Sequence, residues 1–268
     1  MKDIPDVPKE VLVDNLILLG YRGSIAHNMY IPNTDPNSVD DIDIMGVFLA
    51  PENFYIGISQ LKSENPQTIE IKKEIDGILW DCVYYELQHF VKMLLKGNPN
   101  VLSTLWLKKD HYLMVKDMGT KLLEKRDTFV TRNVYHSFVG CANGQLEKME
   151  HHQTKGYMGE KRKRLVKKYG YDIKNAAHAI RILKMGVEFL WGGQLTVYRD
   201  PDGDDKNLMS IKRGEWTLEA IKDKAEKLFE ISKQAFEASK LPDEPDSNTA
   251  EKLVMAILHH YIARGEII

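Results

Sequence analysis

The sequence predicts an α+β protein, with strands gathered before residue 115 and a mainly helical part after it. Three observations predict this. Apolar and aromatic runs at residues 16–21, 41–49, 68–74 and 78–85 have strand character and are punctuated by glycine, proline and aspartate turns. One of these strands carries two aspartates in alternation, Asp41 and Asp43. From Asp117 onward the hydrophobic spacing is almost wholly helical, which places a boundary near residue 115.

The first strand, residues 16–21, ends at Arg22-Gly23-Ser24. A glycine there lets the backbone turn sharply and approach a ligand closely, because it has no Cβ. Ser24 is expected to cap a short helical segment over residues 25–30, with free N–H groups aimed at an anion. In Asp41-Ile42-Asp43-Ile44 the side-chain period of 2 puts both aspartates on one face and both isoleucines on the other. Aspartate is depleted in strands, and like charges on one face repel. A hard divalent cation such as Mg²⁺ would offset them, binding one or two carboxylates plus substrate phosphates. The plain alternative is a solvated strand face.

Residues 68–74 and 78–85 form a predicted hairpin around Asp76-Gly77, whose residue types suit φ > 0. Asp81 interrupts the otherwise apolar returning strand, and burying an unpaired carboxylate is costly, so it needs a local partner or a site. Residues 86–96 carry a helical stripe of Leu87, Phe90, Val91, Leu94 and Leu95. Gly97 ends it and Asn98-Pro99 restarts the chain. His89 and Met93 read as packing and surface residues.

Helices are expected at residues 117–125 and 132–154. The neighbours His151-His152 cannot face one site on a helix, and no histidine spacing suggests zinc. Residues 155–171 carry Lys155, Lys161, Arg162, Lys163, Arg164, Lys167 and Lys168, interleaved with Tyr157, Tyr169 and Tyr171. Such a stretch attracts phosphates and stacks bases, or else is a solvated helix face. A helix over residues 173–191, capped by Asp172, has an apolar side of Ile173, Ala176, Ile180, Leu183, Val187 and Leu190. On another face Lys174, His178 and Arg181 follow at i, i+4 and i+7. A triphosphate would screen three such groups; a solvated face or a hydrogen-bonded core histidine are the alternatives. Gly192-Gly193 ends this helix, and residues 194–199 suggest a short strand. The acidic run from Asp200 to Asp205 fails as an EF-hand, because Asp205 and Ile211 stand where glycine and glutamate are required. Amphipathic helices follow at residues 213–237 and 248–263.

Composition bounds the function. At 268 residues the chain suits two modest domains sharing a cleft, and 43% hydrophobic residues suffice for packed cores. With 37 basic against 39 acidic residues, contact with nucleic acid requires a local patch. Two cysteines make no disulfide framework and favour a reducing cytoplasm. No apolar leader and no apolar run of about 18 residues is present, so a soluble cytoplasmic protein is expected.

The run Gly23-Ser24, Asp41-x-Asp43 and Met45-Gly46-Val47 resembles the signature of polymerase-β-type nucleotidyltransferases. It is most similar to the RNA-ligase-associated (RlaP-like) branch found in bacteria and phages. Residues 96–100 (KGNPN), 102–106 and 172–186 (DIKNAAHAIRILKMG) extend the likeness over most of the chain. The gap between Ser24 and Asp41 is longer than in minimal members, and Asn28 stands where glycine is common. Asn tolerates the left-handed region, so the turn is expected to survive.

The resemblance implies a nucleotidyltransferase domain at residues 1–115, with a mixed sheet and flanking helices, and a helical domain at 116–268 closing a nucleotide cleft. It implies transfer of a nucleoside monophosphate from an NTP, ATP favoured, to an acceptor hydroxyl with release of pyrophosphate. Asp41, Asp43 and Asp81 would hold two Mg²⁺ ions, for which Mn²⁺ could substitute, with Glu86 and Glu74 as rivals to Asp81. Arg22, Gly23, Ser24, Lys174, His178 and Arg181 would bind the nucleotide. An RNA end, a tRNA, a protein hydroxyl as in antitoxin-like relatives, or a small molecule all stay open as acceptor. The alternative of another class is an inert nucleotide-binding module, which the intact Gly-Ser and Asp-x-Asp oppose.

Overall fold

The structure is a computed structural model describing residues 6–32, 35, 38, 41–56, 67–150, 159–200, 203 and 205–263. The His151-His152 pair, Lys155, Tyr157, parts of the run after Asp200 and residues 57–66 lie outside these.

Among the described residues five strands make one mixed sheet: β1 (Leu16–Tyr21), β2 (Ile42–Phe48), β3 (Thr68–Ile75), β4 (Ile78–Glu86) and β5 (Tyr112–Val115), in the order β3-β4-β2-β1-β5. Every residue of β1 is buried, as its unbroken apolar run requires. β2 lies antiparallel to β1 and parallel to β4, so one parallel pair sits at the centre of the sheet. The β3–β4 hairpin turns at Asp76 and Gly77, whose φ angles of 51° and 75° are those of a two-residue turn matched to strand twist. β3 is an outer strand, and its Lys72, Lys73 and Glu74 are exposed. Charge there discourages pairing with another chain. The other edge, β5, was not foreseen; it is four residues long and half-exposed, with no alternation to mark it.

Two short helices, α1 (Gly23–Ala26) and α2 (Glu52–Tyr55), interrupt the N-terminal strands. α3 (Leu87–Leu95) continues directly from β4, capped by Glu86, whose carboxylate accepts from Gln88 N and His89 N. Asn98 caps α4 (Pro99–Ser103) in the same way. α5 (Asp117–Glu124) packs on β1 so closely that a Cβ on Gly119 would lie 2.2 Å from the Ile17 carbonyl oxygen.

The later helices are α6 (Val134–Glu150), α7 (Glu160–Tyr169), α8 (Ile173–Gly192), α9 (Lys206–Lys212), α10 (Leu218–Ala238) and α11 (Ser247–Ala263). α8 is their axis, packed against α6, α9 and α10, while α11 returns to α3 and α5. Ala177, Ala179, Ile182, Met185 and Phe189 are buried along with the foreseen apolar side, of which Val187 alone is half-buried, so α8 is enclosed nearly all round. Among the described residues one hydrophobic core runs from the sheet through this helical part. Among the described residues no helix is long and apolar enough to cross a membrane.

Three expectations are corrected. α1 begins at Gly23 with Arg22 at its N-cap, so Ser24 is inside the first turn and caps nothing. Residues 194–199 form no strand: Val197 O and Arg199 O accept from the side chains of His27 and Asn28 instead of from a neighbouring strand. The helix expected from residue 213 begins only at Leu218, where Thr217 caps α10, and α9, which stops at Lys212 before it, was not foreseen.

Candidate active site

Asp43 is on β2 and Asp81 is its register partner on the parallel strand β4. Parallel pairing sets the two side chains side by side, and Asp41 precedes Asp43 by one strand repeat. One carboxylate oxygen from each of Asp41, Asp43 and Asp81 lies within 4.8 Å of the others. Glu74 is exposed near the hairpin, and Glu86 is consumed by capping α3 and accepting from Tyr55 Oη at 2.8 Å. The geometry therefore brings Asp81, and neither glutamate, to the pair.

Gly23 explains how the loop after β1 can approach these carboxylates. Its φ is +58°, and a Cβ there would stand 2.2 Å from Asp43 Oδ2. Arg22 N donates to the Asp43 carbonyl at 2.9 Å, locking the loop to β2. Ser24 is buried with no partner for its Oγ, and it is not among the residues lining the cleft. Asn28 takes the left-handed turn with φ +55° and donates to Arg199 O at 2.9 Å.

Cations meet the acidic cluster. Arg22 Nη2 donates to Asp81 Oδ1 at 2.7 Å and lies 3.5 Å from Asp43 Oδ1. Lys72 Nζ, from β3, is 2.7 Å from Asp81 Oδ2, and Lys174 Nζ, from α8, is 3.0 Å from Asp41 Oδ1. Burial, reinforced by the neighbouring Asp41 charge, pushes Asp43 up to about 7 despite Arg22 and Lys174. Burial works against ionisation of Asp41 too, but the charge and hydrogen bond of Lys174 outweigh it and its pKa is lowered.

The wall opposite comes from α8, and the cleft between has a volume of about 970 Å³. Lys174, His178 and Arg181 all line it. Asp172 sets the helix in place, accepting from Lys174 N and Asn175 N and pairing with Arg162. His178 is half-buried, and enclosure there, with the charges of Arg181 and Lys174, holds its ring well below the usual histidine range. Arg181 is only 3% exposed, which removes the solvated-face alternative for it. Burial, then the charge of Arg199, brings its guanidinium down to about 9.

His27, which the sequence did not single out, also lines this cleft and contacts Arg181. Lys72 was likewise missed, because its place beside Asp81 follows from strand register. From the basic stretch, Lys161 and Arg162 reach the cleft, whereas Arg164, Lys167 and Lys168 are exposed.

Three carboxylates set against a loop that tolerates no side chain, with a guanidinium already bridging two of them, suit a positive ion of hard character. A mixed sheet with flanking helices that presents such a triad, followed by a helical part, defines a nucleotidyltransferase-like fold. The chain belongs to the RNA repair pathway DNA polymerase beta family (RlaP), whose sequence profile matches residues 21–256. Nucleotidyl transfer is the chemistry of that superfamily, which works with divalent metal ions, and the triad fits a metal site. No curated protein sequence matches the chain. Among solved structures, a nucleotidyltransferase-like protein from Exiguobacterium sibiricum 255-15 is similar at 9% identity and a TM-score of 0.30, over 84% of this chain and 70% of that one.

Proposed function

We propose that the protein transfers a nucleoside monophosphate from an NTP, with ATP favoured, to a hydroxyl at an RNA end, releasing pyrophosphate. The observation that carries this reading is the opposition, across one cleft, of Asp41, Asp43 and Asp81 to Lys174, His178 and Arg181. Residues 1–115 would then act as the catalytic domain, and residues 116–268 as the part that closes on the nucleotide.

Asp41, Asp43 and Asp81 would hold Mg²⁺, two ions in this reading, with Mn²⁺ able to substitute. Bound there, the ions supply charge neutralisation and polarisation of the reacting oxygens. The chain's own groups do the rest. Gly23 keeps the loop backbone close enough to the carboxylates for the triphosphate to be shared between them. The acceptor oxygen bonds to the α-phosphorus as the bond to the bridging oxygen breaks, and Asp81 takes the hydroxyl proton. Lys174, His178, Arg181 and Arg22 offset the charge that gathers on pyrophosphate, so that positioning and electrostatics provide most of the catalysis.

Two features favour RNA as acceptor. Lys161 and Arg162 line the cleft while Arg164, Lys167 and Lys168 continue outward on α7, a run of cations suited to a phosphate backbone. The family's description places its members in RNA repair.

The test is incubation with each α-³²P-labelled NTP, Mg²⁺ and cell extract, followed by RNase or protease. Label lost to RNase is expected and would identify the preferred base. Label lost only to protease would replace RNA with a protein acceptor. Absence of label with every NTP would overturn the transfer reading and favour an inert nucleotide-binding module.

A further inference from the structure

We infer that His27 is a positioning residue: its ring accepts a hydrogen bond from Arg181 and holds that guanidinium at the cleft wall, ready for the triphosphate. This rests on the proposed role of Arg181 as a triphosphate ligand.

The partners on each side of the ring fix its proton. His27 Nδ1 is 2.8 Å from Val197 O, and a carbonyl can only accept, so Nδ1 carries the hydrogen and donates. Nε2 faces Arg181 Nη1, which can only donate, so Nε2 is the bare acceptor. An imidazolium could not make this pair. Burial, followed by the Arg181 charge, disfavours the protonated ring in the same sense.

The carbonyl that orients the ring is itself anchored. Arg199 follows Val197 by two residues, and its guanidinium donates to Glu188 Oε1 and Oε2 at 2.7 and 2.9 Å. Arg199 also pairs with Asp205 at 3.3 Å, and Arg199 O accepts from Asn28. Residues 195–199 are thus tied at one end to α8, which carries Arg181, and along their length to the turn that carries His27 and Asn28. Histidine, strap and arginine form one closed circuit.

Arg181 needs such a holder. Among the described residues no carboxylate pairs with it, and its buried Nε has no partner. Its Nη1 meets His27 Nε2 and Met185 Sδ, the latter at 3.2 Å. A carboxylate in place of His27 would fix the guanidinium equally well but would cancel its charge. A neutral acceptor orients it and leaves the full charge for an anion. The placement of a buried, cleft-lining guanidinium against a neutral ring is therefore suited to phosphate capture, where planar donors and retained charge both count.

Binding of Mg²⁺-tripolyphosphate, which carries no base, tests this by calorimetry on the full chain. His27→Asn keeps a donor near Val197 O and removes the acceptor, and His27→Gln places an amide oxygen near the lost Nε2. We expect His27→Asn to weaken binding about ten-fold, as for loss of a hydrogen bond to a charged group. His27→Gln should bind at least about three-fold tighter than His27→Asn, and Arg181→Gln should lose about ten-fold or more. In the double variant, His27→Asn should add nothing to Arg181→Gln, since residues acting through one contact are not additive. Equal affinity of His27→Asn and wild type, beside a weakened Arg181→Gln, would overturn the role of His27 alone. Additive losses in the double variant would overturn it as well. Undiminished binding by Arg181→Gln would overturn the reading of Arg181 itself. Thermal melts identify any His27 variant that misfolds, and in that event the comparison of His27→Gln with wild type decides the matter.

Discussion

Asp43 is the residue that the fold treats least kindly. It is nearly buried, beside the Asp41 carboxylate, and its pKa rises to about 7. Between the ordinary carboxylate value and about 7 the folded state keeps a proton that the unfolded chain has lost, so this group lowers stability as pH rises through that window. In metal-free protein, Asp43→Asn is expected to raise the melting temperature at pH ~8 and to lose that advantage near pH ~3, below the ordinary carboxylate value, where the wild-type carboxyl is protonated in both states. The same substitution should reduce Mg²⁺-dependent pyrophosphate release by more than about 100-fold, the upper end of what outer-shell changes cost a metal site. A variant that melted higher yet kept full activity would remove Asp43 from the metal site. His27 acts in the opposite sense. Its folded pKa is depressed by burial and by Arg181, so below pH about 6.5 the unfolded chain takes up a proton that the folded one refuses. Stability falls there as pH falls, His178 adding to the effect, and the difference between wild type and His27→Gln melts over pH ~5 to ~7 should isolate the His27 share.

At the scale of elements, caps and close approaches decide stability. Asp172 is 1% exposed; it caps α8 and pairs with Arg162 at 2.8 Å. Asp172→Ala should cost about 1–2 kcal/mol for the cap alone, and more because Arg162 loses its partner. Urea unfolding measures this, and a loss below about 0.5 kcal/mol would contradict it. Gly119→Ala meets backbone, since the new Cβ would face the Ile17 carbonyl at 2.2 Å and β1 cannot yield. A loss of about 1–3 kcal/mol is expected in the same assay. These elements differ in how well the sequence announces them. The Asp76-Gly77 hairpin, the Asn98 cap and the Asp172 cap follow from local chemistry, because each side chain satisfies backbone groups next to it. β5 and the 194–199 segment do not. β5 pairs with β1 from about ninety residues away, and the carbonyls of Val197 and Arg199 are taken by side chains of a turn 170 and 171 residues distant. Neither partner is visible in a local pattern.

At the scale of the whole molecule, the cleft joins a negative wall from the sheet to a positive wall from α8, already linked by Lys174 and Asp41. A ligand that engages both walls stabilises the folded state by mass action, so Mg²⁺-ATP at about 100 times its Kd should add about 2.7 kcal/mol. Differential scanning calorimetry would show this as a raised melting temperature, and Mg²⁺ or ATP alone should give less. Equal shifts from ATP with and without Mg²⁺ would argue against a shared site.

The sequence by itself determined the fold class, the β2 aspartate pair, the hairpin and the α8 cap, because strand alternation and capping are written within a few residues of each other. It also marked Lys174, His178 and Arg181 as one helical stripe. Only the tertiary structure decided which carboxylate joins the pair, since Asp81 meets Asp43 through parallel register rather than through spacing. Only tertiary packing enclosed Arg181, removed Ser24 from the cleft lining and set His27 against the guanidinium. Burial and long-range contact fix charge, tautomer and reach, and those are properties of neighbours that the chain brings together only by folding.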